Sequence, residues 1–253
     1  MNRLWSNSLL TGAFLFIKET PTLLSEFFVI FRMKQKHMDV GIFNIKTLAA
    51  YVSNHIPTNK PYLIGIDGLA GSGKTTFLTK LVQVLENASL KVTVISMDRS
   101  IWKKIRTEAC RESRFDPERD SVGEDYDWRR LKLEVLVPLR EGKTPVGLPR
   151  GQVVVVEGCF SLRNELQEFY KLKIFTDVPR DMALIRAVDR DGEEERYWYE
   201  NYWMQEENLS IRTHDPMQRA ELVIDGCREI ANDEVHLKLT TAFSRQLTAA
   251  ADA

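Results

Sequence analysis

The run Gly68-Leu69-Ala70-Gly71-Ser72-Gly73-Lys74-Thr75 has the spacing G-x-x-x-x-G-K-[ST]. Each residue type has a chemical reason. The glycines let the backbone curl so that its N–H groups converge on phosphate oxygens. A helix starting after Gly73 would add the positive end of its dipole. Lys74 supplies a mobile cation for β- and γ-phosphates, and Thr75 a hydroxyl for Mg²⁺. The expected nucleotide-binding set is Gly68 to Thr76, that is Gly68, Leu69, Ala70, Gly71, Ser72, Gly73, Lys74, Thr75 and Thr76, with ATP and Mg²⁺ as the implied cofactors.

The surrounding pattern supplies the scaffold for such a cradle. Tyr62–Asp67 is a short apolar run of strand type, and Gly73–Glu86 carries Phe77, Leu81, Val84 and Leu85 on one helical face. Lys91–Met97 reads as a second strand. Val153–Glu157 is a continuous β-branched run, as expected for a strand covered on both faces. Leu172–Phe175 and Leu222–Ile224 are further strand candidates. Ile45–Ile56, Asp125–Glu141 and Arg180–Gln205 have helical spacing, the second with Trp128, Leu131, Val135 and Leu139 in register. Strands alternate with helices, which predicts an α/β fold of three layers: a central, mostly parallel five-stranded sheet with helices on both faces.

Chemistry beyond the cradle needs acids and mobile cations. Glu157 ends the Val153–Val156 run, where a carboxylate needs a partner, and Mg²⁺ or its bound water is a natural one. Asp98 ends the second strand, on the edge where parallel sheets gather ligands. It could orient or deprotonate an attacking hydroxyl and share in holding Mg²⁺; a helix cap or an ion pair with Arg99 or Lys103 is the other role open to it. The expected metal positions are Thr75, Glu157 and Asp98. Arg186 and Arg190 are spaced i, i+4 and share a helical face, so a helical lid over about 186–212 could bring them onto the γ-phosphate. Asp98, Lys74, Arg190 and Arg186 are therefore the expected catalytic residues. A GTPase would carry N-K-x-D after the cradle; the one Asn-Lys pair, Asn59-Lys60, precedes it and lacks the Asp. The aromatics Tyr197, Trp198, Tyr199, Tyr202 and Trp203 read as packing of the lid.

Together these residues resemble the uridine kinase-like branch of P-loop kinases, which also holds phosphoribulokinase and bacterial pantothenate kinase. The resemblance spans roughly Tyr62–Gly226 and rests on IDGLAGSGKTT, ISMD, VVVVEG and IFTDVPRDMALIRAVDRD, with His214-Asp215-Pro216 and AELVIDG returning to a final strand. It implies a P-loop NTPase fold, ATP- and Mg²⁺-dependent phosphoryl transfer to a metabolite hydroxyl, Asp98 as the catalytic aspartate, Thr75 and Glu157 at Mg²⁺ positions, and Arg190 as a lid arginine. The acceptor side departs from the family. Asp98-Arg99-Ser100-Ile101-Trp102 replaces an aromatic-rich run, and Thr144–Gly151 (TPVGLPRG) lacks the Tyr and Asp of the nucleoside pocket. A nucleoside is the leading acceptor, with Asp125, Tyr126, Asp127 and Trp128 as candidate contacts; a capped helix start with a core Trp explains the same residues. A pantothenate-like or sugar-phosphate acceptor, or an ATP-binding regulatory protein without transfer activity, are the alternatives.

The chain has 253 residues, 43% hydrophobic, enough for one large domain. A net charge of −1 gives no general attraction for nucleic acid or an anionic membrane. Cys110, Cys159 and Cys227 form no metal or disulfide spacing, which suits a reducing compartment. Residues 1–37 read as a loosely attached extension ahead of a kinase domain over 38–253, with Met33 or Met38 as an alternative start. Its apolar runs Leu9–Ile17 and Phe27–Phe31 fall short of the ~20 residues that span a membrane. The expected partner is a small-molecule acceptor in the cytoplasm, with a homo-oligomer left open.

Overall fold

The computed structural model describes residues 40–97, 116, 122–123 and 126–238. The 1–37 extension, Asp98, Asp125 and the run Arg99–Trp102 lie outside the described residues. The sheet has seven strands: β1 (Val40–Asn44), β2 (Tyr62–Gly68), β3 (Val92–Ser96), β4 (Val153–Glu157), β5 (Leu172–Asp177), β6 (Leu222–Asp225) and β7 (Glu234–Lys238). Their order is β1-β7-β6-β5-β2-β4-β3. Strands β2 to β6 pair in parallel, while β7 pairs antiparallel with both β6 and β1. The expectation of a five-stranded sheet is thus corrected: two antiparallel strands extend it beyond β6. They escape the sequence pattern for a physical reason. EVHLK buries only Val235 and Leu237, and its partner VGIFN lies about 190 residues away in the chain.

Helices cover both faces. Helix α1 (Ile45–Asn54) and helix α2 (Lys74–Asn87) pack on one face, where Leu48, Val52, Phe77 and Leu81 meet Ile64, Ile66, Val155 and Ile174. On the other face lies α3, which runs Trp128–Arg130, widens to a π-helical turn over Leu131–Leu136 and ends as Val137–Arg140. Its Trp128, Leu131, Val135 and Leu139 are all buried, as their spacing requires, against Leu63, Val154 and Val156. Strand β4 is buried at all five positions. A strand covered on both faces must be apolar throughout, which is what VVVV provides.

After β5, α4 (Arg180–Asp191) ends at Gly192. The chain then runs through Arg196–Trp198, a π-helical turn Tyr199–Trp203 and α5 (Met204–His214). Ala183, Ala187 and Val188 of α4 pack with Tyr199, Met204 and Leu69, so this helical pair is fastened to the glycine loop.

The central strand has one tight point. A Cβ on Gly65 would lie 2.7 Å from Leu162 Cδ2 and 2.8 Å from Tyr170 Cδ2. Both neighbours are buried side chains, so a larger residue must displace them. Gly65→Val is expected to destabilise the fold by about 1–3 kcal/mol through overpacking, read as a lower urea midpoint; an unchanged midpoint would show that this wall can yield.

Candidate active site

Strand β2 delivers the chain to the sheet edge at Asp67-Gly68, and α2 leaves from Lys74. Between them the loop depends on two glycines in the left-handed region. Gly71 has φ +76° and its added Cβ would lie 2.2 Å from the carbonyl oxygen of Ala183 on α4. Gly73 has φ +96°, with nothing within 4 Å of an added Cβ. The loop is therefore pinched at Gly71 and open at Gly73. The first intrahelical bond of α2 runs from Phe77 N–H to Gly73 C=O, 3.0 Å, so the N–H groups of Lys74, Thr75 and Thr76 have no intrahelical acceptor. They and the helix dipole form an anion cradle. The Lys74 ammonium is buried and donates to the carbonyls of Gly68 (2.8 Å) and Leu69 (2.9 Å), with Cys159 Sγ at 3.4 Å. Ser72 and Thr176 share a hydroxyl–hydroxyl bond of 2.6 Å that ties the loop to β5.

Three buried carboxylates surround this loop. Asp67 accepts from the N–H groups of Gly68 (2.7 Å), Phe160 (3.2 Å) and Leu162 (2.8 Å). Burial pushes its carboxyl up to about 6, against the pull of those N–H groups and Lys74. The bonds hold the turn after β4 in place, including Phe160, a non-glycine residue at φ +69°. Glu157 ends β4 in register with Ile66 of β2 and Ser96 of β3. It is 6% exposed, and its Oε2 has no hydrogen-bond partner. An orphaned carboxylate oxygen is costly unless a cation takes it. Together with the Thr75 hydroxyl it gives hard oxygen donors suited to Mg²⁺, which binds through one or two protein oxygens plus phosphates and water. No group of three or more His, Cys, Asp or Glu side chains forms a metal cage among the described residues. Glu207 of α5 reaches the loop itself, accepting from Ala70 N–H at 3.2 and 3.3 Å and from the Cys159 thiol at 3.1 Å. Burial raises its carboxyl above the ordinary range, opposed by Lys74.

The loop and Glu207 border an open cleft of about 1340 Å³ whose lining includes Gly71–Thr76, Cys159, Arg186, Arg190, Glu206, Glu207 and Tyr126. The two arginines sit on one face of α4. Arg190 makes a bidentate pair with Asp191, 2.7 Å for each bond, and donates to the Tyr199 hydroxyl at 3.2 Å. Arg186 donates to the carbonyl of Gly226 at 2.7 Å. Of the four acceptor candidates, Asp125 lies outside the described residues, and of the other three Tyr126 alone lines the cleft, 5.5 Å from the Phe160 ring. Asp127 caps α3 by accepting from Arg130 N–H at 3.2 Å. Trp128 is core, with the guanidinium groups of Arg129 and Arg163 over its ring at 4.2 and 4.1 Å. Tyr199 and Tyr202 are buried in the helical pair, and Trp198, Tyr199 and Trp203 border the cleft.

Asp67, Cys159 and Glu207 were not anticipated. Asp67 carried a signal, as the one charge in YLIGIDG; Glu207 is one acid among many in its segment. The raised Asp67 value means that the fold favours the protonated carboxyl, so its contribution to stability is full below pH 4 and is lost as pH rises through 6. The stability difference between the protein and its Asp67→Asn variant should fall by about 3 kcal/mol across that window and level off above pH 7, as followed by chemical denaturation at stepped pH; a flat difference would refute the assignment.

No model of a known protein family matches the chain. A uridine kinase from Staphylococcus epidermidis is 27% identical over 214 residues, covering 74% of this chain and 100% of that protein. A uridine kinase from Deinococcus deserti is 30% identical over 152 residues, covering 53% of this chain and 70% of that protein. Among solved structures, one assigned as a fructose transport system kinase from Silicibacter sp. TM1040 has a TM-score of 0.51 at 16% identity, over 68% of this chain and 96% of that one; the likeness is one of fold. At 30% identity over 70% of the Deinococcus protein, the chain belongs to the uridine kinase family.

Proposed function

We propose that this chain is an ATP- and Mg²⁺-dependent kinase that transfers the γ-phosphate to a hydroxyl of a small metabolite, with a nucleoside as the acceptor. The observation that carries the reading is the meeting, in one cleft, of Lys74 under an open glycine cradle with Arg186 and Arg190 of α4. Such transfer requires little covalent chemistry from the protein beyond positioning and charge stabilisation. Gly71–Thr76 would take the β- and γ-phosphates on backbone N–H groups. Lys74 would exchange the carbonyls of Gly68 and Leu69 for phosphate oxygens, a short swing of its flexible stem. Arg190 would give up part of its pairing with Asp191 to meet charge on the transferring group, and Arg186 lies one turn away on the same face.

Thr75 and Glu157 would hold Mg²⁺, which when bound supplies positive charge to the β- and γ-phosphate oxygens. The segment over about 186–212 would act as the lid, excluding water from the reacting phosphate. Asp98, outside the described residues, follows β3 in the sequence and would orient the acceptor hydroxyl. The nucleoside assignment draws on the uridine kinases of Staphylococcus epidermidis and Deinococcus deserti and on the Tyr126 and Phe160 rings at the cleft, which offer an apolar face to a planar base.

ADP release should be stimulated by uridine or cytidine and not by pantothenate or sugar phosphates; stimulation by an anionic acceptor alone would overturn the nucleoside assignment, and silence across the panel would favour a regulatory ATP-binding protein. Lys74→Ala should abolish that turnover, and a near-normal rate would remove the cradle assignment. Asp98→Asn should lose about 10²–10⁴-fold in rate while still binding ATP in a calorimeter; activity within tenfold would reduce Asp98 to a cap.

A further inference from the structure

Arg190 and Asp191 are the last two residues of α4, just ahead of Gly192. Adjacent residues on a helix do not face each other. Their ion pair is exposed, and an exposed pair is weakly held because two flexible side chains must be fixed in one geometry. Asp191 is also an anion at the negative end of the helix dipole. By themselves these two side chains have little reason to keep the bidentate geometry that they adopt, with Nε and Nη2 of Arg190 each 2.7 Å from a carboxylate oxygen.

A third group supplies the reason. Tyr199 is buried and opens the π-helical turn Tyr199–Trp203, a rare geometry that recurs at functional sites. Its hydroxyl donates to Asp191 Oδ2 and accepts from Arg190 Nη2 at 3.2 Å. Nη2 also donates to that same Oδ2, so guanidinium, carboxylate and phenol close a ring. Burial, with the Asp191 carboxylate adding to it, pushes the phenol well above its ordinary range, so the hydroxyl remains a donor. Packing fixes the rest of the side chain. The Tyr199 ring meets Trp203 edge-on at 4.7 Å and shares a cluster with Leu69 of the glycine loop and with Ala183 and Ala187 of α4. All three members of the ring of hydrogen bonds line the cleft.

We infer that Tyr199 is a positioning residue for phosphoryl transfer, its hydroxyl holding the Arg190 guanidinium at the cleft through the Asp191 carboxylate. This rests on the reading of Arg190 as a cation that meets charge on the transferring group. The effect is one of preorganisation. A free arginine must be drawn from its many rotamers at every turnover, at a cost in entropy. One tied to a buried hydroxyl has been ordered when the chain folds, and its charge is in place when the reaction needs it. The tie has a second end. Because the Tyr199 ring packs on Leu69, the arginine and the glycine loop share one rigid support. The ring supplies that support, and the hydroxyl alone passes it on to Arg190.

The test is a mutant cycle on the full chain, read as ADP release with the acceptor that stimulates it best. Tyr199→Phe removes the hydroxyl and keeps the ring. Its kcat should fall about tenfold, the worth of one hydrogen bond to a charged group, with the KM for ATP within about threefold of the parent. In an Arg190→Ala background the same substitution should change kcat by less than about twofold, because the residue it acts through is gone. Asp191→Ala, at an exposed position, should by itself lose a factor close to that of Tyr199→Phe, and it tests the tie if the phenylalanine variant fails to fold. An equal loss with and without Arg190 would make the hydroxyl a support of the fold alone and overturn the inference. A parental kcat in either single variant, or a loss confined to KM, would overturn it as well. If no acceptor stimulates ADP release from the parent chain, the kinase reading fails and this inference falls with it.

Discussion

A single carboxylate inside the sheet edge organises this molecule. Asp67 ends the apolar part of β2 and takes three backbone N–H groups, one from the first glycine of the loop and two from the turn after β4. Burying an acid at 5% exposure is costly. The cost is met because those N–H groups would otherwise be orphaned where two loops leave a close-packed sheet. The glycine loop and the Gly158–Leu162 turn are therefore set against each other by one residue. Everything that faces the cleft from these loops, from Lys74 to Cys159 and Phe160, inherits its position from that junction. The elevated carboxyl shows that burial outweighs the pull of those N–H groups and of Lys74.

The cations of the site follow the same logic of mutual restraint. Lys74 rests on loop carbonyls, Arg186 on the Gly226 carbonyl, and Arg190 on Asp191 and Tyr199. Each cation has a defined resting partner, two of them on main-chain carbonyls and one in a charge-assisted pair. Glu157 is the converse case: a buried oxygen lacking any partner of its own, where a cation would relieve the cost of burial.

The glycine loop and the strand that ends at Glu157 were legible in the chain because backbone chemistry leaves few solutions. A loop that must point its N–H groups inward needs glycines at set intervals, a lysine and a hydroxyl, and a strand covered on both faces must be β-branched throughout. The spacing of Trp128, Leu131, Val135 and Leu139 likewise marked the buried face of α3. What stayed hidden is non-local. β1 and β7 find each other across almost the whole domain with too few apolar residues to announce a strand. Glu207 reaches Ala70 from a helix whose sequence is crowded with acids, and no spacing rule singles it out. Asp127 and Trp128 satisfied two explanations equally until Asp127 was seen capping α3 and Trp128 lying beneath two guanidinium groups.

The pinch between the glycine loop and its neighbours has a consequence for how this protein can change over generations. A methyl group on Gly71 would strike the Ala183 carbonyl, and one on Gly226 would lie 2.2 Å from the carbonyl of Ser72. Backbone atoms cannot step aside as side chains do. The loop is thus walled by main chain on two sides, and drift there is arrested by geometry before function is ever consulted. Residues across the cleft such as Tyr126 and Trp203 are bounded by side chains, which repack. Selection can therefore rewrite the far side of this cleft while the main chain around the glycine loop passes on unaltered.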